Sequence, residues 1–332
     1  HHEDDQAETL LLNLLRGSGP AGLAGIGAFQ TFGSGWLMRP MLDVSRSAIE
    51  GYARDHGLAW VDDPSNTYLR FDRNFLRREV MPVLEKRWPS AVPRLAHSAL
   101  LAAESHALRC ELADIDLVTC GSFSRIDCIA LRRLSPERQR NVLHRAIELA
   151  GLPAAPSKRL FEVVRSMLPA RDDAQPLIAW PGAELRRYRD TLYLSAPLPM
   201  SLPDSQLVLQ ADGLPLSLGP GYGTLRLVMA STGGLRADCV GAGLQVRFRA
   251  GGERLRPHGR RETQQLKKLL QSAGIPPWMR GRLPLLYAGD ALVAVADLWV
   301  ADDAWSEPGF AVRWEGGPPI CALFAGGRSA NL

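Results

Sequence analysis

The chain has 332 residues, long for one average domain and suited to two or three. Hydrophobic residues make up 46% and charged residues 22%, values that exclude wholesale disorder and collagen-like repeats. Net charge is +4, and Lys occurs only at positions 86, 158, 267 and 268; an arginine skew of this kind arises from GC-rich genomes, so no function is read from it. The five cysteines (Cys110, Cys120, Cys128, Cys239, Cys321) form no CxxC pair, which argues against a disulfide framework or a thiolate zinc site and fits a reducing, cytoplasmic setting. The longest charge-free run, 17–38, carries seven Gly and one Pro, so no membrane span is expected.

The chain opens at His1 directly into HHEDDQAET, and a polar cluster on a free end suggests a fragment whose N-terminal part is missing. Residues 5–16 read as a helix: Asp5 and Glu8 have capping-box spacing, and Ala7, Leu11, Leu14 and Leu15 form one stripe. A flexible Gly-rich stretch to Gly35 follows. A second helix fits 45–56, with Ser45 as N-cap and Gly57 past its end. LAWVDDPSN (58–66) reads as a short extended run and a turn, and a third helix spans roughly 72–88. A long helical pattern runs from Pro93 to about Val118. Residues 135–151 have Ser135 as cap, Pro136 in the first turn and Gly151 beyond the end, and 157–168 is another short helix. Strand-like pieces lie at 184–194, and PLPMSLPDS (197–205) resembles a linker. In the last third, 224–229 and 244–249 alternate as strands, 263–273 is an amphipathic helix, and 283–289 with 291–300 flank a Gly-Asp hairpin turn.

HHEDDQAET places two His and four carboxylates within eight residues. One reading is a capping box with solvated acids near the positive end of the helix dipole. Another is a metal phosphoesterase site built on His1, His2, Asp4 and Asp5, although adjacent residues seldom chelate one ion. A third uses Asp5 and Glu8, three apart and so on one helix face, to hold an ammonium group or a Mg²⁺ beside phosphates. The GxGxxG at Gly17, Gly19 and Gly22 follows a helix, and Pro20 removes an N–H that a phosphate cradle would use, so it fails as a dinucleotide motif. Arg73 and Arg77 share a helix face, either as a solvated basic face or as a phosphate contact. Residues 247–282 hold ten basic residues against two acids, Glu253 and Glu262. This local field suits a polyanion, with Arg254, Arg256, Lys267 and Lys268 as its contacts and His258 and Trp278 available to stack. His97, His106 and His144 read as structural or surface residues.

HHEDDQAETLLLNLLRGSGPAGLAGI resembles the signature of the tRNA(Ile)-lysidine synthetases, HHxDDQAET followed by LLxLxRGxGxxGLxG. The match continues through RPMLDVSRSAI, DDPSN, Arg73–Asn74 and LRREVMPVLEKRWP. It returns in GERLRPHGR, LKKLLQSAGIPPWMRGRLPLLYAGD and LVAVADLWV, so it covers about 1–95 and 247–300.

The resemblance implies an α/β ATP-pyrophosphatase unit of the adenine nucleotide alpha hydrolase-like type at 1–95. A mainly helical middle domain at 96–200 and an α+β tRNA-binding domain at 201–332 would follow. It implies ATP with Mg²⁺, L-lysine, and an isoleucine tRNA with a CAU anticodon. The family adenylates the wobble cytidine at its C2 oxygen, and the ε-amine of lysine then attacks C2 and displaces AMP to give lysidine. By transfer, Asp5 and Glu8 hold lysine and His1 is an active-site histidine. The family's phosphate loop SGGxDS lies upstream of HHxDD and is absent here, so the ATP-binding residues are not placed on this chain, and the chain by itself is expected to be inactive. A noncatalytic tRNA-binding protein is the alternative from another class.

Overall fold

The computed structural model describes residues 1–61, 68–171, 174–198 and 207–317. DDPSN and most of the 197–205 linker therefore lie outside the described residues, as does Cys321. The chain divides into two units, His1–Ile115 and Asp116–Leu332.

In the first unit α1 (Glu3–Leu15) starts two residues before the expected point, because His2 is the N-cap and Asp5, at N3, reaches back to the His2 N–H. The Gly-rich stretch is not a free loop. It contains α2 (Pro20–Leu23), fixed by Asn13 donating to the Gly22 carbonyl, and a hairpin of β1 (Phe29–Phe32) and β2 (Gly35–Met38). Helix α3 (Arg46–Asp55) begins as its sequence requires: the Ser45 hydroxyl accepts from the Ala48 N–H, and Gly57 takes the left-handed conformation past the end. The expected third helix is α4 (Asp72–Phe75), a π-helical turn Leu76–Val80 and α5 (Met81–Arg87). Pro82 has no N–H for the preceding turn, and the wider turn accommodates it. Ala7 on α1, Met81 and Val92 form the core here, with Leu11, Leu84 and Leu95 packed against them. Val92 and Leu95 lie on α6 (Ala91–Cys120).

In the second unit two antiparallel assemblies follow. The first is the five-stranded sheet β3-β4-β7-β6-β5, built from β3 (Gly121–Ser122), β4 (Arg125–Asp127), β5 (Leu177–Trp180), β6 (Ala183–Tyr188) and β7 (Thr191–Ser195). It packs with α7 (Cys128–Arg132), α8 (Pro136–Leu149) and α9 (Ser157–Glu162) around Ile126, Leu131, Leu143, Leu160, Leu185 and Leu192. This segment is mainly helical by length but is organised on a sheet that the sequence marks only at 184–194. β6 is almost wholly buried, so it shows no alternation of polar and apolar residues.

The second assembly holds β8 (Leu207–Leu209), β9 (Leu216–Ser217), β10 (Thr224–Ala230), β11 (Gly234–Leu235), α10 (Ala237–Val240) and β12 (Leu244–Phe248). It continues with β13 (Arg254–Leu255), β14 (Gln264–Gln265), α11 (Leu266–Ser272), α12 (Pro277–Arg280), β15 (Pro284–Ala288) and β16 (Ala291–Val295). β17 (Trp299–Val300), β18 (Trp305–Ser306) and β19 (Gly309–Glu315) complete it. Two five-stranded sheets result, β18-β11-β19-β10-β9 and β17-β16-β15-β12-β8, with one core that includes Leu225, Leu235, Val246, Leu285 and Val295. The expected helix from 263 starts at Leu266, because Gln264 and Gln265 pair with Leu255 and Arg254. Its face is as expected: Leu266, Leu269 and Leu270 are buried, each stabilising by roughly 2 kcal/mol.

Candidate active site

The head of α1 carries a four-residue charge cluster. Asp5 and Glu8 lie one turn apart and are 7% and 1% exposed, which needs charge compensation in a polar-poor setting. Arg73 and Arg77, four apart on the facing helix, supply it. Arg73 donates through Nε to Glu8 Oε2 at 2.8 Å and through Nη2 to Asp5 Oδ1 at 2.7 Å. Arg77 donates through Nε to Glu8 Oε1 at 2.6 Å, and through Nη2 to Glu8 Oε2 at 2.9 Å and Asp5 Oδ1 at 3.2 Å. Two forks on two carboxylates sum to no net charge. The Glu8 carboxylate beside it holds the Arg77 guanidinium above its ordinary range. The basic face expected at Arg73 and Arg77 is thus turned onto Asp5 and Glu8. Asp5 Oδ2 alone faces no guanidinium; it accepts from the His2 N–H at 2.9 Å.

The rest of the motif ties separate segments to α1. Glu3 N–H donates to Val44 O at 3.0 Å, and Asp4 Oδ2 accepts from the Arg46 N–H at 2.8 Å, which docks the start of α3. The Gln6 amide pairs both ways with the Ile26 backbone at 2.7 Å. His1 Nδ1 accepts from Arg39 Nε at 3.2 Å, while Arg39 also grips Gly27 O and Gln30. The metal phosphoesterase reading requires His1, His2, Asp4 and Asp5. His1, Asp4 and Asp5 are committed to amides and guanidiniums, the His2 ring lies 3.5 Å from Asp4 and 3.6 Å from Asp5, and the described residues contain no group of three or more His, Cys, Asp or Glu arranged to hold a metal. Beside α1 opens a cavity of about 700 Å³, lined mostly by apolar groups such as Ile26, Phe29, Met38 and Leu100, with Glu3, Arg39 and Asp43 at its polar edge. Burial first, then Asp4 and Asp43, raise the Glu3 carboxyl above its usual range.

The basic segment divides into engaged and unengaged residues. Arg249 pairs with Glu253 at 3.4 Å and Arg256 with Asp302 at 2.9 Å. Arg280 bonds Ile275 O and the Tyr188 hydroxyl. Arg254, Arg260, Arg261, Lys267 and Lys268 are exposed and face no carboxylate among the described residues. Trp278 does not face solvent as a stacking group. It packs edge-on against Tyr188 and Tyr193, with the Arg186 guanidinium 5.4 Å from its ring centre. Sequence reasoning missed Arg39, Gln6 and Asp302 as structural partners. Gln6 and Arg39 fall inside the quoted motifs, but Asp302 lies 44 positions from His258 and gives no local signal.

Three family models match the chain: a PP-loop domain over residues 1–84, a TilS substrate binding domain over 126–193 and a TilS substrate C-terminal domain over 244–314. Among curated relatives, a tRNA(Ile)-lysidine synthase of Alkalilimnicola ehrlichii is 42% identical over 314 residues, covering 93% of this chain and 69% of the relative. That of Coxiella burnetii is 40% identical over 302 residues, covering 91% and 67%. That of Pseudomonas aeruginosa is 42% identical over 330 residues, covering 96% and 71%.

Proposed function

Because the chain belongs to the tRNA(Ile)-lysidine synthase family, we propose that it works as the ligase that joins lysine to C2 of the wobble cytidine in a CAU-anticodon isoleucine tRNA. ATP adenylates the C2 oxygen with release of pyrophosphate. The neutral ε-amine of L-lysine then attacks C2, the C2–O bond breaks, and AMP leaves with the oxygen. Adenylation is needed because the unactivated oxygen is a poor leaving group. Mg²⁺ enters with the nucleotide, and the reaction belongs in the cytoplasm, where its tRNA substrate resides.

The observation that carries this reading is the convergence of Asp5, Glu8, Arg73 and Arg77 at the head of α1. Asp5 and Glu8 are assigned to lysine. Asp5 Oδ2, free of guanidinium contact, is the entry point for an ammonium group; Glu8 becomes accessible when a guanidinium yields an oxygen. Arg73 and Arg77 position the carboxylates in the arrangement seen, and either reaches a tRNA phosphate only on leaving them. His1, whose Nδ1 is held by Arg39, keeps Nε2 for the reacting groups. Residues 1–95 form the synthetase part, 96–200 the middle and 201–332 the C-terminal tRNA-binding parts. Arg254, Arg256, Lys267 and Lys268 form the phosphate-binding surface.

The test is transfer of radiolabelled lysine to a CAU-anticodon transcript by the native gene product with ATP. Loss of one charge-assisted bond in Asp5→Asn is expected to raise the lysine KM roughly 10- to 150-fold, the equivalent of ~1.5–3 kcal/mol. An unchanged lysine KM overturns the role of Asp5.

A further inference from the structure

The GERLRPHGR segment folds back on residues 300–302. His258 N–H donates to Val300 O at 2.9 Å, Asp302 N–H donates to Arg256 O at 2.8 Å, and Pro257 bridges Ala301. The loop is therefore pinned, and its side chains take fixed directions. The Asp302 carboxylate is shared. Oδ2 pairs with Arg256 at 2.9 Å and Oδ1 lies 3.0 Å from His258 Nδ1, which fixes the imidazole plane. That plane lies flat on the indole of Trp305, with ring centres 4.2 Å apart and an angle of 5°. The indole is backed in turn by Gly233, where a Cβ would stand 2.2 Å from Trp305 Cζ2. The result is a layered support of glycine backbone, indole and imidazole. His258 keeps 45% of its side chain exposed. Within four residues of it in sequence are Arg254, Arg260 and Arg261, exposed and without a carboxylate partner among the described residues.

A solvated His on a basic loop normally changes rotamer freely, at a cost in entropy when a ligand fixes it. Here the carboxylate and the indole have already fixed it, which is what a stacking surface requires. An aromatic face within a field of unpaired guanidiniums suits a group with both a flat π-surface and a phosphodiester. Double-helical RNA offers the phosphates but keeps its bases stacked inside, so it uses only half of the site.

We propose that His258, backed by Trp305 and held by Asp302, is a stacking platform for an unpaired nucleobase of the tRNA, with the neighbouring arginines holding the adjoining phosphates. The proposal rests on the reading of 201–332 as tRNA-binding and assigns it a specific preference for single-stranded over paired nucleotides.

Titration of the full chain with a blunt RNA duplex, and with the same duplex carrying a four-nucleotide 3′ overhang, tests it. The native protein is expected to bind the overhang RNA more tightly. His258→Ala should weaken overhang binding about 10-fold, within the range for one stacked base, and leave blunt-duplex binding within about 2-fold. His258→Phe, which restores a flat face, should recover the preference. Should His258→Ala fail to fold, His258→Leu fills the space without a π-face and is expected to show the same loss. Equal binding of both RNAs by the native protein, or an equal loss on both in the variants, overturns the platform while leaving a phosphate-binding surface standing. Absence of binding to either RNA overturns the tRNA-binding reading and the platform with it.

Discussion

Glu8→Gln removes one charge from the cluster at the head of α1 and keeps the side-chain volume. Glu8 accepts three charge-assisted bonds, from Arg73 Nε, Arg77 Nε and Arg77 Nη2, and is 1% exposed. Glutamine offers one oxygen and turns an NH₂ against a guanidinium N–H, so at least one donor loses its partner. The cluster changes from neutral to +1 and leaves Asp5 alone against two arginines. Breaking a buried pair from one side costs ~3–5 kcal/mol where the remaining charge stays buried. Arg73 and Arg77 retain 39% and 26% side-chain exposure, so solvent recovers part of that penalty. We expect a loss of about 2–3 kcal/mol. For a unit of this size that lowers its Tm by about 8–12 °C.

Differential scanning calorimetry of the whole chain, following the transition of residues 1–115, reads this directly. Because the pairs are largely shielded, the shift should survive 0.5 M salt, whereas exposed pairs would be screened by roughly this concentration. A cycle with Arg77→Met should show non-additivity of at least ~1 kcal/mol, since two of the five bonds in the cluster join these two residues. A Tm within 2 °C of the parent, or strict additivity, refutes the view that this cluster clamps α1 to the 72–87 helix.

Arg187 is 1% exposed and donates to the carbonyls of Met167, Leu168, Ala170 and Arg189, so Arg187→Met should cost about 2–4 kcal/mol and lower the Tm of the second unit. Burial alone would raise the Glu253 carboxyl, but the amides of Gly251, Glu253 and Ala250, with Arg249, outweigh it and hold it below its ordinary value of 4.5. A depressed carboxyl adds stability above that value and loses it as pH falls, so the melting gap between native protein and Glu253→Gln should be open at pH 7 and close on acidification below about pH 4.5. Replacing Arg254, Lys267 and Lys268 with Ala should flatten the plot of log K for tRNA against log salt by about two to three units, at roughly 0.7–0.9 per contact. Parallel lines would remove these residues from the phosphate surface, and Arg256→Ala should add less because Arg256 already pairs with Asp302.

What the sequence disclosed follows from the range of the forces involved. Ser45 and Ser135 cap their helices through bonds to residues three positions on, and Gly57 and Gly151 end them; those signals are local and were legible. Leu266, Leu269 and Leu270 likewise announce the buried face of α11. The spacing of Asp5 with Glu8, and of Arg73 with Arg77, put each pair on one face, but nothing local tells that the two faces meet, because their bonds span 65 to 72 positions. The same holds for His258 and Asp302. β13 and β14 were missed since two-residue strands exist only through their partner. Asp4, a candidate metal ligand by sequence, and its neighbour Gln6 instead hold backbone of the 46 and 26 segments.

The second unit must solve a different problem from α1. On the proposed reading lysine is small and is held within one charge cluster, whereas choosing one anticodon loop needs binding energy from the body of the tRNA, delivered at a fixed distance from the reacting base. A loose joint between the 121–195 sheet and the 207–315 assembly would spend that energy on ordering the protein. The joint is stiff: Trp278 meets Tyr188 and Tyr193 edge-on at 6.1 and 5.8 Å, Arg280 Nη2 donates to the Tyr188 hydroxyl at 3.1 Å, and Arg189 Nη2 reaches Gln271 O at 3.3 Å. Aromatic pairs of this geometry contribute ~0.5–1.5 kcal/mol each beyond their burial. Arg186 links the two further, pairing with Glu184 while lying over the Trp278 ring. Trp278 and Arg280, placed by sequence within a basic tract, therefore join the 121–195 sheet to the 207–315 assembly; on the proposed reading they serve tRNA recognition indirectly, by fixing that separation while the unpaired cations Arg254, Lys267 and Lys268 make the contacts.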